Sequence, residues 1–163
     1  MRTLVVPALA AALLGTAAAQ TDPLRSAGSE TRSMFFTDCY SLEVMDPDGA
    51  LTVGDLDDDS QPKRLRVTVL YDGDLPNMPE GWTEEIMPVL SVKDEQTLRA
   101  AYGELSEGDE IALDYAPGEG STLTRNGEPI LSHEGYALTA AMLDVWFGES
   151  PVDEDIKEAF LGG

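Results

Sequence analysis

The run Gly108-Asp109-Glu110-Ile111-Ala112-Leu113-Asp114-Tyr115-Ala116-Pro117-Gly118-Glu119-Gly120-Ser121-Thr122-Leu123-Thr124-Arg125-Asn126-Gly127-Glu128-Pro129-Ile130-Leu131 decides the fold of this chain. Ile111, Leu113 and Tyr115 alternate with Ala112 and Asp114, the period of a strand with one buried face. Pro117-Gly118-Glu119-Gly120 breaks the run with turn residues. Ser121 to Arg125 reads as a second strand and Glu128 to Leu131 as a third. Asn126-Gly127 joins them, a dipeptide suited to a two-residue hairpin because both positions tolerate positive φ. An apolar helix follows and ends Asp144-Val145-Trp146-Phe147-Gly148. A three-strand meander with a helix behind it is part of a larger sheet with a cover, and the rest of the chain must complete both.

Working outward, Arg64 to Tyr71 alternates cleanly, with Leu65, Val67, Val69 and Tyr71 on one face and Arg66 and Thr68 between them. Asp72-Gly73-Asp74 and Pro76 stop it. Met34 to Val44 is β-prone by composition and reads as one strand ending at Asp46-Pro47-Asp48-Gly49. Thr21 to Ser29 shows no period and reads as a linker. Two helices are expected between residues 79 and 105. Pro88 limits the first, and Ser91 caps the second, which carries Leu98, Ala101, Tyr102 and Leu105 at helical spacing. The helix Glu134 to Phe147 is apolar almost all round, so it should pack on two sides. A last short helix starts after Ser150-Pro151, with Asp153, Glu154 and Asp155 in its first turn. Strands, helices, meander, helices in that order predict an α+β domain, a mainly antiparallel sheet with helices packed on one face.

Residues 1–19 have the pattern of a secretory leader: Arg2, an apolar run from Leu4 to Leu14, and Ala17-Ala18-Ala19 before Gln20. The run is shorter than the roughly 20 residues of a membrane span. The expected layout is therefore a signal peptide (1–19), an N-terminal segment (20–30) and a domain (31–163), delivered to a bacterial periplasm or secreted. Without the leader, Lys plus Arg falls from 10 to 9 against 31 acids, a mature charge of about −22. That balance excludes nucleic acid and anionic membrane surfaces as partners, since both attract cations. Its simple explanation is solubility or a salty habitat.

Several motifs fail on inspection. Asp55-Leu56-Asp57-Asp58-Asp59 opens like a calcium loop, but Ser60 and Arg66 stand where an EF-hand needs Gly and Glu. Gly118-Glu119-Gly120 links two strands rather than a strand and a helix N-terminus, so it is a turn and not a phosphate cradle. His133, the one histidine, has Ser132 beside it, but adjacency along a chain does not orient a nucleophile, and there is no Gly-x-Ser-x-Gly elbow. One His and one Cys make a poor zinc site. Cys39, the sole cysteine, lies in a strand-like run and reads as a small buried residue. No metal or cofactor is expected.

Gly108-Asp109-x-Ile111, Tyr115-x-Pro117-Gly118-x-Gly120, Asn126-Gly127 and Trp146-Phe147-Gly148-x-x-Pro151 together resemble the C-terminal half of the chalcone isomerase-like proteins of bacteria. Ala27-Gly28 and Met34-Phe35-Phe36 resemble the family's first core strands. The resemblance implies an open-faced β-sandwich of chalcone isomerase type, with a ligand cleft between sheet and helices. The plant enzymes of that family close a flavanone ring by attack of a phenolate on an enone. Their chemistry needs a cation for the developing charge and hydroxyls to complete the network. The implied site has an Arg after Ala-Gly-x, a Thr on the next strand, a Tyr, an Asn, and a Ser or Thr on the helix before the final Gly. Here Ala27-Gly28-Ser29 is followed by Glu30, so the cation would have to be Arg25 or Arg32. The strand Thr is Thr37, or the position falls on Cys39. Thr139, nine residues before Gly148, matches the helix hydroxyl. The motif places neither the Tyr nor the Asn.

A carboxylate at Glu30 would oppose a phenolate. The leading expectation is a non-catalytic exported domain that takes a small apolar, fatty acid-like ligand in its cleft. One alternative is an intramolecular lyase of chalcone isomerase type, with Arg32 or Arg25 as cation and Thr37 and Thr139 as hydroxyls. Another is an acidic envelope protein that works by contact alone. The cavity decides between them: Thr139 converging with an Arg would favour the enzyme, an apolar cavity the binder.

Overall fold

The computed structural model describes residues 23–74 and 77–162. The leader reading, on residues 1–19, and Pro76 fall outside them. Six strands form one antiparallel sheet in sequence order: β1 (Arg25–Met34), β2 (Thr37–Asp46), β3 (Lys63–Val69), β4 (Glu110–Ala116), β5 (Gly120–Arg125) and β6 (Glu128–His133). Four α-helices accompany them: α1 (Glu80–Glu85), α2 (Val92–Gly103), α3 (Ala137–Phe147) and α4 (Glu154–Leu161). This is the expected α+β arrangement, and the strands read at 64–71 and 110–115 are neighbours in the sheet.

The register explains why one face is covered. Val44, Leu65, Leu113, Leu123 and Leu131 lie side by side across five strands, and all are buried. Gly28 continues that row onto β1, where a Cβ would come within 2.9 Å of the Phe160 ring of α4. The missing side chain is what lets α4 lie against the sheet edge. The opposite face carries Glu43, Arg66 and Ala112 in one row and Met45, Arg64 and Asp114 in the next. Arg66 reaches Glu43 at 3.1 Å and Glu110 at 3.2 Å, and Arg64 pairs with Asp114. These pairs are about one-third exposed, and surface pairs contribute roughly 0–1 kcal/mol each. They keep that face wet and fix cross-strand register.

Helix α3 buries eight of its residues, including Leu138, Met142, Val145 and Trp146, between the sheet and the other helices. Its apolar circumference follows from that two-sided packing. Asp153 caps α4 by accepting from the amides of Asp155 and Ile156, and Ser91 caps α2 by accepting from Asp94.

The N-terminal third differs from expectation. The stretch read as a linker contains the first half of β1, which begins at Arg25. The run read as one strand from Met34 contains a hairpin turn at Phe35-Phe36. Both phenylalanines adopt positive φ, 49° and 68°. Two such residues in a two-residue loop give the type I′ geometry that matches strand twist. For a non-glycine residue the left-handed conformation costs about 1–2 kcal/mol. Ser33 and Asp38, hydrogen-bonded at 2.6 Å, staple the strands just behind this turn.

The acidic loop between β2 and β3 closes by its backbone. Lys63 is almost wholly buried, and its Nζ donates to the carbonyls of Asp58 and Gln61. Tyr115 donates to Asp59 O at 2.6 Å and Tyr136 to Leu56 O at 2.7 Å. Of its carboxylates, Asp57 and Asp59 are exposed, while Asp55 accepts from Thr52 and Asp58 from Ser60.

Candidate ligand-binding site

The site lies at the end of the sheet where β1 turns into β2 and β3 leaves for α1. On the helix-covered face, Arg32 stands opposite Tyr40 and Tyr40 opposite Val69, with Val67 and Ile111 in the neighbouring row. Helix α1 contributes Trp82, and α2 brings Tyr102, with Leu105 just beyond it. These residues enclose a cavity of about 600 Å³, apolar over most of its surface, with Met34, Phe35 and Tyr71 toward its rim. Asp74, Asn77, Thr37 and Cys39 also line it. Asp74, Tyr102 and Leu105 also line a more polar groove that continues to Ser106.

One wall is a chain of aromatic rings. Trp146 meets Tyr40 edge-on at 6.3 Å and Trp82 at 5.6 Å, and Trp82 leans on Tyr102. Trp146 is fully buried, so its indole N–H needs a partner, and it donates to Tyr40 Oη at 2.8 Å. The Tyr40 oxygen therefore accepts, and its own proton is left to donate elsewhere. Burial raises the Tyr40 pKa, outweighing the lowering effects of the Trp146 hydrogen bond and the nearby Arg32 charge. Tyr40 is thus a neutral hydroxyl. Burial also pushes the Tyr102 hydroxyl up. Arg32 is fixed by a 2.6 Å hydrogen bond from Nη1 to Val152 O, in the link between α3 and α4. A guanidinium has five N–H donors, so that anchor leaves donors available beside the Tyr40 hydroxyl.

Of the site residues expected from sequence, Arg32 and Thr37 line the cavity and Arg25 and Thr139 do not. Arg25 is exposed at the far end of β1. Thr139 is buried near the start of α3, where its hydroxyl meets Ser121 Oγ at 2.8 Å. Ser121 donates to Gly135 O, so Thr139 donates to Ser121. Seven residues separate Thr139 from Trp146, about 10 Å along a helix. Glu30 faces the same side as Arg32 but pairs with Leu42; that row reaches the cavity through Val67 and Ile111, and Glu30 itself does not line it. The cationic position at the cavity is therefore Arg32, and the expectation of an acid there is corrected by the strand register. Cys39 and Thr37 both reach the cavity, so the choice between them dissolves. His133 ends β6 and donates from Nε2 to Val89 O at 3.1 Å. Tyr40, Trp82, Tyr102 and Asn77 were not identified from sequence.

A family model described as chalcone isomerase-like matches residues 10–162. The chain belongs to the chalcone isomerase-like family. The match begins inside the stretch read as a leader and runs through α4. Among solved structures, a fatty-acid binding protein of Arabidopsis thaliana superposes with a TM-score of 0.58 at 17% sequence identity, over 85% of this chain and 87% of that one. The likeness carries the fold: a six-stranded antiparallel open sheet with helices, of chalcone isomerase-like type. No curated protein matches this chalcone isomerase-like chain by sequence. Among the described residues no helix is long and apolar enough to cross a membrane.

Proposed function

We propose that this protein binds a long-chain carboxylic acid, without chemistry, in the cavity between sheet and helices. The observation that carries the reading is the pairing of Arg32 with the neutral Tyr40 hydroxyl on the wall of an otherwise mainly apolar cavity. A guanidinium and a neutral O–H both donate, and a carboxylate accepts from both, with charge-assisted bonds to Arg. The alkyl chain would lie against Val67, Val69, Trp82, Leu105 and Ile111. The cavity volume falls within the roughly 300–1,000 Å³ usual for small-ligand sites. The fold is shared with a protein named for fatty-acid binding. The test compares palmitate with its methyl ester by titration calorimetry. The ester has the same chain and no charge, and should bind about 10- to 100-fold more weakly. Equal affinities would overturn the reading.

The lyase alternative draws support from Arg32, Thr37, Tyr71, Tyr102 and Asn77 around one cavity, the side-chain types that chemistry uses. Against it, the Thr139 hydroxyl is engaged by Ser121 away from the cavity. Incubation with a hydroxychalcone should give no flavanone above the uncatalysed rate, and turnover abolished by Arg32→Ala would reverse the preference. An acidic envelope protein acting by contact alone has the least support, because it gives the cavity no use. We also propose export, on the leader pattern of residues 1–19. The mature chain should begin at Gln20 by intact mass, and a retained Met1 would contradict this.

A further inference from the structure

The turn at Phe35-Phe36 presents Phe35 at 93% and Phe36 at 107% exposure, with Met34 half-exposed beside them. Other exposed large apolar residues, Val53, Leu70 and Val92, stand singly, which is ordinary for a surface. Three in a row at the tip of a hairpin are not ordinary. Ser33 to Thr37 carry no charge in a chain where a quarter of the residues do, and the adjoining carboxylate, Asp38, lies behind the turn and accepts from Ser33. Both phenylalanines hold a backbone conformation that bulky residues rarely adopt, and both meet nearly full solvent. Strain of this kind persists where function uses it. Met34 and Phe35 also line the cavity, so the tip and the cavity share a rim.

Resting on the fatty-acid reading above, we propose that the Phe35-Phe36 tip docks on a lipid bilayer surface and that the ligand passes between bilayer and cavity along this rim. Two features favour a lipid surface over a second copy or another protein. An aromatic side chain buries about 150–250 Å², so two supply roughly 300–500 Å², short of the ~800 Å² per partner of a stable protein interface. A bilayer needs no shape complementarity and takes aromatic rings at its interface. The net charge of −21 disfavours anionic lipid, so the surface is a zwitterionic one.

The test measures transfer of a fluorescent long-chain fatty acid from the protein, purified after expression of the full chain, to phosphatidylcholine vesicles. Docking predicts a transfer rate that rises with vesicle concentration, because collision limits it. The variant Phe36→Gly, at a tip residue that does not line the cavity, installs the residue a type I′ turn favours at its second position, so it should fold at least as stably and bind the soluble fatty acid unchanged. Its transfer should slow by about tenfold or more and lose the dependence on vesicle concentration. A rate independent of vesicle concentration in the parent, or an unchanged rate in the variant, would overturn the proposal while leaving fatty-acid binding intact. Dimers of the parent that dissolve in the variant, with no vesicle effect, would assign the tip to a protein contact instead and overturn it too. Failure of the parent to bind the fatty acid at all would remove the underlying reading.

Discussion

Two hairpins close off the same end of the sheet, β1–β2 at one edge and β5–β6 at the other, and both turn on two residues with positive φ. The β5–β6 turn uses Asn126-Gly127, and Asn126 also clasps the start of β4: it accepts from the Glu110 amide at 2.8 Å and donates to Asp109 at 2.9 Å. The β1–β2 turn uses two phenylalanines that meet nearly full solvent. Behind Asn126, Leu123 and Leu131 are packed into the core. Behind Phe35, Arg32 and Tyr40 border a cavity. One chain thus contains the inexpensive solution and the strained one side by side. The strained turn is at the edge where the space is left open, which ties the strain to the cavity rather than to a limitation of the fold.

The comparison can be broken most forcefully at the packed edge. Leu123→Ala should lower stability by about 2–5 kcal/mol in urea denaturation, because it leaves a void in a close-packed row. Val69→Ala opens onto space that already exists and should lose only about 1–2 kcal/mol. Equal losses would mean that the cavity wall is packed as tightly as the row behind Asn126.

Exchanging the turns comes next. Phenylalanine at both Asn126 and Gly127 should cost about 2–4 kcal/mol, whereas Asn-Gly in place of Phe35-Phe36 should gain about 1–3 kcal/mol, both measured as shifts in unfolding midpoint. A loss at both edges would show that the phenylalanines stabilise their turn.

Two hydroxyl deletions sharpen the contrast further. Tyr40→Phe strands the Trp146 indole N–H, and Ser121→Ala strands the Thr139 hydroxyl, so each should cost about 1–3 kcal/mol. Calorimetry with palmitate should separate them, with affinity falling for Tyr40→Phe and holding for Ser121→Ala.

The smallest effect concerns pH. The Asn126 hydrogen bond, with lesser help from the Ser106 amide, holds the Asp109 carboxylate below its usual pKa. A depressed folded pKa means stability that is fully present above about pH 4 and is lost as pH falls through the lowered value. Asp109→Asn should therefore be penalised at pH 7 and less so near pH 3, and a penalty that does not change with pH would separate Asp109 from the turn.

Sequence and structure agree where local chemistry and tertiary use coincide. The alternation of β3 and β4, the Asn126-Gly127 turn and the two-sided α3 were readable because each pattern has one physical interpretation. The Phe35-Phe36 turn was not, since its residues contradict its backbone and look like strand. The first half of β1 was hidden for a related reason. Ser26, Ala27, Gly28 and Ser29 lack strand propensity, and pairing with β2 supplies what propensity does not. At the site, Arg32 and Thr37 were candidates but Tyr40 was not, because its role depends on a tryptophan 106 residues away. Thr139 had the right offset from Gly148, yet its contacts with β5 are invisible in a string.

At the other end of the sheet, Lys63 sits inside the loop that begins like an ion-binding motif, its ammonium held by main-chain oxygens while Tyr115 and Tyr136 take two more. The positive charge at that loop is carried on the polypeptide and cannot be washed away. This corner should therefore keep its fold through chelation, dilution or a change of salt alike.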